Sequence, residues 1–130
     1  MKRGSIVTLF DEAVIAAGTA SASGAIDIFN LNGWYAKKLT NLNGYYCLEL
    51  KVTGDGVLKA EYESSLTGES FMVPKNESPI LQGFTKTGGA NGDGKTIFQF
   101  SPHFSKFIRL KLSETGGTDS VTVTAVLGIL

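Results

Sequence analysis

The chain has 130 residues, of which 42% are hydrophobic and 18% are charged, with twelve basic and twelve acidic side chains. A zero net charge without a basic stripe argues against binding to nucleic acid or to an anionic membrane, because both need an excess of Lys and Arg. Length and apolar content favour a single globular domain over residues 1–130. No apolar run approaches the roughly 20 residues of a membrane-spanning helix.

The N-terminus begins like a secretory signal but its apolar run is too short. Lys2-Arg3 precedes IVTLF, and Asp11-Glu12 ends that run after five residues, whereas a signal needs roughly 7–15. We therefore predict no signal peptide and take Ser5–Phe10 as the first strand. An arm over residues 1–10 that exchanges with a neighbouring subunit is the alternative. Glu12–Ala17 fits either a strand or a helical turn.

Alternating polar and apolar residues mark the strands of the middle of the chain. Gly24–Phe29 alternates after a small, polar loop. Tyr46–Val52 and Leu58–Glu63 alternate on either side of Gly54-Asp55-Gly56, and an Asp-Gly turn between two such runs predicts a β-hairpin. Its polar face carries Glu and Lys from both strands, which suits cross-strand ion pairs. Ile80–Phe84 is a further candidate strand.

The last third of the chain alternates most clearly. Lys95–Phe100, Phe107–Leu112 and Ser120–Ala125 are separated by clusters of Ser, Pro and Gly, the pattern of antiparallel strands with one dry and one wet face. About eight to ten short strands without a helical period predict an all-β fold. We favour an antiparallel two-sheet β-sandwich of jelly-roll type, with a meander barrel as the alternative.

Residues that could carry catalysis are sparse. Cys47 is the single cysteine and His103 the single histidine, so the chain can form neither an intrachain disulfide nor a zinc site of three or four Cys and His ligands. No G-x-S-x-G elbow accompanies a possible serine nucleophile. We predict no enzyme and no cofactor. Calcium, held by loops that contain Asp55, Asp93 and Asp119, is the open alternative.

Aromatic and apolar residues beside turns and at the C-terminus are the candidate interaction residues. A large aromatic pair after a turn serves either as an exposed platform for a sugar or a protein, or as a cap on the core. The apolar end of the chain loses its alternation after Val126, and such a tail packs in its own sheet or against a neighbour. The candidates are Trp34, Tyr35, Tyr45, Ile129 and Leu130.

Three segments resemble small phage and prophage virion proteins. They are LKAEYESSLTGESFMVP (Leu58–Pro74), FQFSPHFSKFIRLKLSETGG (Phe98–Gly117) and the closing SVTVTAVLGIL. The resemblance covers roughly the C-terminal two-thirds of the chain. It implies a structural protein of the particle, either a capsid-decoration or stabilising subunit or a tail-associated or fibre-associated one. Its partners would be other virion proteins and copies of itself, and its location the virion, after assembly in the host cytoplasm.

A second resemblance points to a binding module. The run FSKFIRLKL is similar to a strand of discoidin-like and other galactose-binding-like jelly rolls, in which an Arg follows an aromatic–aliphatic pair, as Arg109 follows Phe107-Ile108. This implies a carbohydrate-binding module for receptor or glycan recognition as the alternative function. Trp34 and Tyr35 would then line the glycan site.

Overall fold

The computed structural model describes residues 5–27, 46–75, 79–100 and 106–129. Within these ranges the regular elements are strands: β1 (Ser5–Ile15), β2 (Ala20–Ala22), β3 (Ile26–Asp27), β4 (Tyr46–Thr53), β5 (Leu58–Ser65), β6 (Leu81–Phe84), β7 (Lys95–Phe100), β8 (Phe107–Glu114) and β9 (Val121–Ile129). None of the described residues belongs to a helix that is long and apolar enough to cross a membrane.

The strands form two antiparallel sheets. The front sheet has the order β1-β9-β4-β7, and the back sheet has the order β2-β8-β5-β6 with β3 also paired to β8. Since β2 and β3 both pair with β8, they act as one interrupted strand. The chain then passes from sheet to sheet at every connection except that from β5 to β6, which is the jelly-roll arrangement. The predicted sandwich is confirmed, and a continuous meander barrel does not describe these two separate sheets.

Strict alternation of side chains builds the core between the sheets. In each strand every second side chain points inward, because successive side chains leave opposite faces of a strand. The buried apolar residues of the four central strands are Tyr46, Leu48, Leu50 and Val52, Leu58, Ala60 and Tyr62, Ile108, Leu110 and Leu112, and Val121, Val123, Ala125 and Leu127. At one end of the core, the Phe100 ring lies 5.7 Å from Tyr46 and 5.8 Å from Tyr62.

The hairpin predicted around Gly54-Asp55-Gly56 is wrong. β4 lies in the front sheet and β5 in the back sheet, so their apolar residues face each other across the core. The turn packs on the start of β9: the amide of Gly56 donates to the carbonyl of Ser120 at 3.0 Å. A Cβ at Gly56 would lie 2.7 Å from the carbonyl oxygen of Asp119. Alternation indicates which side of a strand is buried. A hairpin and a connection between two sheets have the same alternation, so the sequence alone does not distinguish them.

The N-terminal strand is longer than predicted and continuous with the ambiguous segment after it. β1 pairs with β9 of the same chain from Ser5 to Ile15, with irregular register between Thr8 and Ala13. Glu12 lies in this irregular stretch with a φ of 52°. Such bulges bend an edge strand and make it a poorer template for uncontrolled pairing. Ser5–Phe10 thus lies in the subunit's own sheet, one of the two predicted placements.

Shorter segments also differ from the predictions in detail. The loop predicted before Gly24 contains the three residues of β2. After β5, Met72 forms an isolated bridge with Ser64. The strand predicted at Ile80–Phe84 is confirmed as β6.

Candidate interaction surface

The solvent-facing side of the front sheet, here called the front face, is built by four strands in register. Directly paired residues of antiparallel strands point to the same side, so the pairings define rows across the sheet. Ordered from β1 to β7, the rows are Ile6, Gly128, Cys47 and Gln99; Thr8, Val126, Glu49 and Ile97; Thr124, Lys51 and Lys95; and Val14, Thr122 and Thr53.

The front face is apolar for a solvent-facing surface. Ile6 is 80% exposed, Val14 66% and Ile97 63%. The other two large hydrophobic side chains exposed in the described part of the chain, Leu66 and Met72, lie on the segment after β5. Because Ile6, Val14 and Ile97 share one face, they are candidates for contact with another molecule.

One row of the front face is acidic at its β1 end and basic at its β7 end. The amide of Glu12 donates to the Oγ1 of Thr124 at 3.1 Å, which places this exposed acidic residue at the β1 end of the row. Lys51 and Lys95 are paired residues at the β7 end. Thr124 lies between Glu12 and the two lysines, so the row has a negative and a positive end.

On the opposite surface, formed by the back sheet, four charged side chains form two ion pairs within the molecule. Arg109 Nε lies 2.6 Å from Glu63 Oε1, and its guanidinium stacks 4.3 Å from the centre of the Phe71 ring. Lys59 and Glu61 form a further pair at 3.7 Å. The ion pairs predicted between the two strands of the hairpin are wrong, because β4 and β5 lie in different sheets. Glu63 of β5 pairs instead with Arg109 of β8.

Glu114 is a buried carboxylate that holds three loops together. Its Oε2 accepts hydrogen bonds from the amides of Val57 at 2.8 Å and Gly116 at 2.9 Å, and its Oε1 from those of Gly117 at 2.8 Å and Gly18 at 2.9 Å. These backbone donors, that of Val57 foremost, lower the pKa of Glu114 from 4.5 to about 2. The side chain therefore has a structural role.

The three aspartates predicted as calcium ligands are not brought together. Asp55 binds the Lys86 ammonium at 2.5 Å, and this hydrogen bond lowers the pKa of Asp55. Asp93 accepts a hydrogen bond from the amide of Lys95 at 3.3 Å. Within the described residues, no three Asp, Glu, His or Cys side chains are grouped so as to hold a metal ion.

Most of the predicted interaction residues lie outside the described ranges. These are Trp34, Tyr35, Tyr45 and Leu130, and their role stays a prediction. Ile129 ends β9, where its backbone pairs with Ser5 and Tyr46.

The front face was not among the sequence predictions. Its sequence signal is the isoleucine or valine at polar-phase positions of β1 and β7, such as Ile97 between Thr96 and Phe98. That signal gains meaning only when the pairing of β1, β9, β4 and β7 is known. Cys47 also lies on this face, partly exposed.

Solved structures of similar overall course include a bacterial appendage and a virus protein. No protein-family model matches the chain, and no curated protein matches it. The chain is similar to a structure described as Bacillus endospore appendages that form a novel family of disulfide-linked pili. That similarity has 17% identity and a TM-score of 0.38, over 99% of this chain and 92% of the other.

The second similar structure is that of the infectious bursal disease virus Gx strain. It has 13% identity and a TM-score of 0.41, over 98% of this chain and 31% of the other, so this chain spans about a third of that one. Similarities this low concern the general course of the chain, and no property of either protein follows for this one.

Proposed function

We propose that the protein is a non-enzymatic structural subunit of a bacteriophage particle, a capsid-decoration or tail-associated subunit that acts through protein–protein contacts. The observation that carries the proposal is the front face. It presents Ile6, Val14 and Ile97 to solvent on one side of a four-stranded sheet. The proposal agrees with the pili and the virus named for the two similar structures, but does not rest on them.

The distribution of charge supports a contact role for this face. The back sheet pairs Arg109 with Glu63 and Lys59 with Glu61 inside the molecule. The front face combines apolar and threonine side chains with Glu49, Lys51 and Lys95, a mixture of apolar and polar area that is typical of protein interfaces. The segments from Leu58 to Pro74 and from Phe98 to Gly117, which resemble virion proteins, are consistent with this role.

Incorporation into particles tests the proposal. Particles released by the phage or bacterium whose genome encodes the chain are purified, and the chain is counted by mass spectrometry against the major capsid protein. We expect a fixed copy ratio for the wild type and a marked loss for Ile97→Lys, because a charge is then buried at the contact. Leu66→Lys, which changes a similarly exposed residue elsewhere, should be incorporated normally. Absence of the chain from particles, or equal incorporation of Ile97→Lys, would contradict the proposal.

Glycan recognition stays the alternative prediction from the sequence. A glycan array probed with the wild type and with Trp34→Ala separates the two functions. Binding that Trp34→Ala abolishes without unfolding the protein would favour the carbohydrate-binding module.

A further inference from the structure

We infer that the front face binds the front face of a second copy of this chain, about a twofold axis that runs parallel to the strands. The inference rests on the proposed function, which makes this face the contact surface, and it names the partner. In such an isologous interface the same patch is used twice, so the patch must be complementary to itself. The charge, the shape and the area of the front face meet that condition.

The charge row is self-complementary under this axis. A rotation of 180° about an axis along the strands exchanges the β1 edge of one copy with the β7 edge of the other. Glu12, at the acidic end of the row, then lies opposite Lys95 of the second copy. The same operation repeats the pair on the other side of the axis. Two complementary charge pairs result, and they also fix the register of the two sheets.

The neighbouring rows match as well. In the row of Ile6, the axis brings Gly128 opposite Cys47 of the other copy, so that a residue without a side chain faces a small one. In the next row Ile97 lies opposite Thr8, whose methyl group is apolar, and Val126 lies opposite Glu49. Two sheets can therefore approach closely with side chains interdigitated, as aligned sheets do in a sandwich.

The area is sufficient for a stable pair. Four strands about 4.8 Å apart and about 30 Å long present a face of roughly 600 Å². Two such faces bury on the order of 1,200 Å², which is the lower end of standard-size specific interfaces. We therefore expect a dimer that forms and dissociates with protein concentration.

Light scattering after size exclusion, over low micromolar to near-millimolar protein, tests the pairing. We expect the mass to rise with concentration to twice 13.8 kDa. Ile97→Lys should remain monomeric at every concentration, whereas Leu66→Lys should dimerise like the wild type. Ile97 is an exposed edge residue, so its substitution leaves the core intact, which equal unfolding midpoints will verify. A wild type that stays monomeric, or an Ile97→Lys variant that dimerises equally, would overturn the inference.

A charge swap tests the register. Lys95→Glu and Glu12→Lys should each raise the dimer dissociation constant by about tenfold at low salt, because each substitution occurs twice and places like charges together. The double variant should recover the wild-type constant. Lys75→Glu, which makes the same change in net charge at an exposed site, serves as control and should have no effect. A double variant weaker than either single one would overturn this geometry.

The single thiol reports directly on the face. Cys47 should react with a maleimide more slowly as the protein concentration and the dimer fraction rise. A rate that stays constant while the mass doubles would overturn the inference by assigning the dimer to another surface.

The two proposals fail in different ways. A monomer that is still incorporated into particles overturns the pairing and leaves the proposed function. A dimer that forms through this face but is absent from particles overturns the proposed function and leaves the pairing.

Discussion

At the scale of single residues, Glu114 is the clearest case of a side chain whose surroundings decide its role. It follows Ile108, Leu110 and Leu112 in the inward phase of β8, where a charge would be costly without partners. Four backbone amides supply those partners and join the loops that contain Gly18, Val57, Gly116 and Gly117. The carboxylate is thus held ionised inside the protein.

Replacing Glu114 with Gln should destabilise the protein and alter its acid sensitivity. Gln offers a single acceptor atom, and its amide group faces donors. Because the folded pKa is about 2 and the unfolded value 4.5, the stability that Glu114 contributes is present above the unfolded pKa. It is lost as the pH falls towards the folded one. Urea unfolding from neutral to acidic pH should therefore show a Gln variant that is less stable at neutral pH and approaches the wild type near the folded pKa.

The control for this substitution is Glu69→Gln, at an exposed loop position, which should leave the unfolding midpoint within the error of the measurement. An unchanged midpoint for Glu114→Gln at neutral pH would contradict the structural role of the carboxylate.

At the scale of elements, the loop from Gly88 to Gly94 shows how a turn positions a strand. The carbonyl of Gly94 accepts a hydrogen bond from the amide of Val52 at 2.8 Å, which extends the pairing of β4 beyond β7. Gly94 has a φ of +75°, and a Cβ there would collide with the carbonyl oxygen of Val52 and lie 2.9 Å from that of Lys86. Glycine is therefore required by conformation and by space.

Gly94→Ala should lower the free energy of unfolding by about 3 kcal/mol or more, because backbone must move as well as adopt a strained φ. Gly92 provides the matched control. Its φ is +68°, but a Cβ there would meet no heavy atom closer than 3.7 Å. Gly92→Ala should cost only about 1–2 kcal/mol. Equal losses for the two variants in urea unfolding would show that contact with β4 does not matter.

At the scale of the whole molecule, the fold is made of contacts between distant parts of the chain. β1 and β9, which lie at opposite ends of the described residues, are paired in the front sheet, and β4 is paired with both β7 and β9. Each such pairing closes a long loop before the contacts that stabilise it can form.

Refolding should therefore be slow for a chain of this size. We expect the main phase to lie in the range of about milliseconds to seconds, as in other all-β domains rich in non-local pairing. Stopped-flow circular dichroism after dilution from urea measures it. A main phase that ends in less than about a millisecond would indicate that local elements, rather than sheet pairing, limit folding.

Local alternation in the sequence is enough to locate most strands and the buried side of each. Period-two alternation is a local property, since it depends on successive side chains pointing to opposite faces. It was enough for the all-β sandwich, for the inward placement of Leu48 and Leu50, and for β7, β8 and β9. It was misleading at Gly54-Asp55-Gly56, where the connection between sheets has the alternation of a hairpin.

Which strands pair, and therefore where the candidate site lies, depends on the tertiary structure. Pairing is non-local, because each strand is selected by the packing of both sheets at once. Ile6, Thr124 and Lys95 are far apart in the chain, and their sharing of the front face follows from β1, β9, β4 and β7 lying side by side. The amides around Glu114 are likewise collected from three loops. Neither arrangement leaves a local pattern in the sequence, because both arise where distant segments meet.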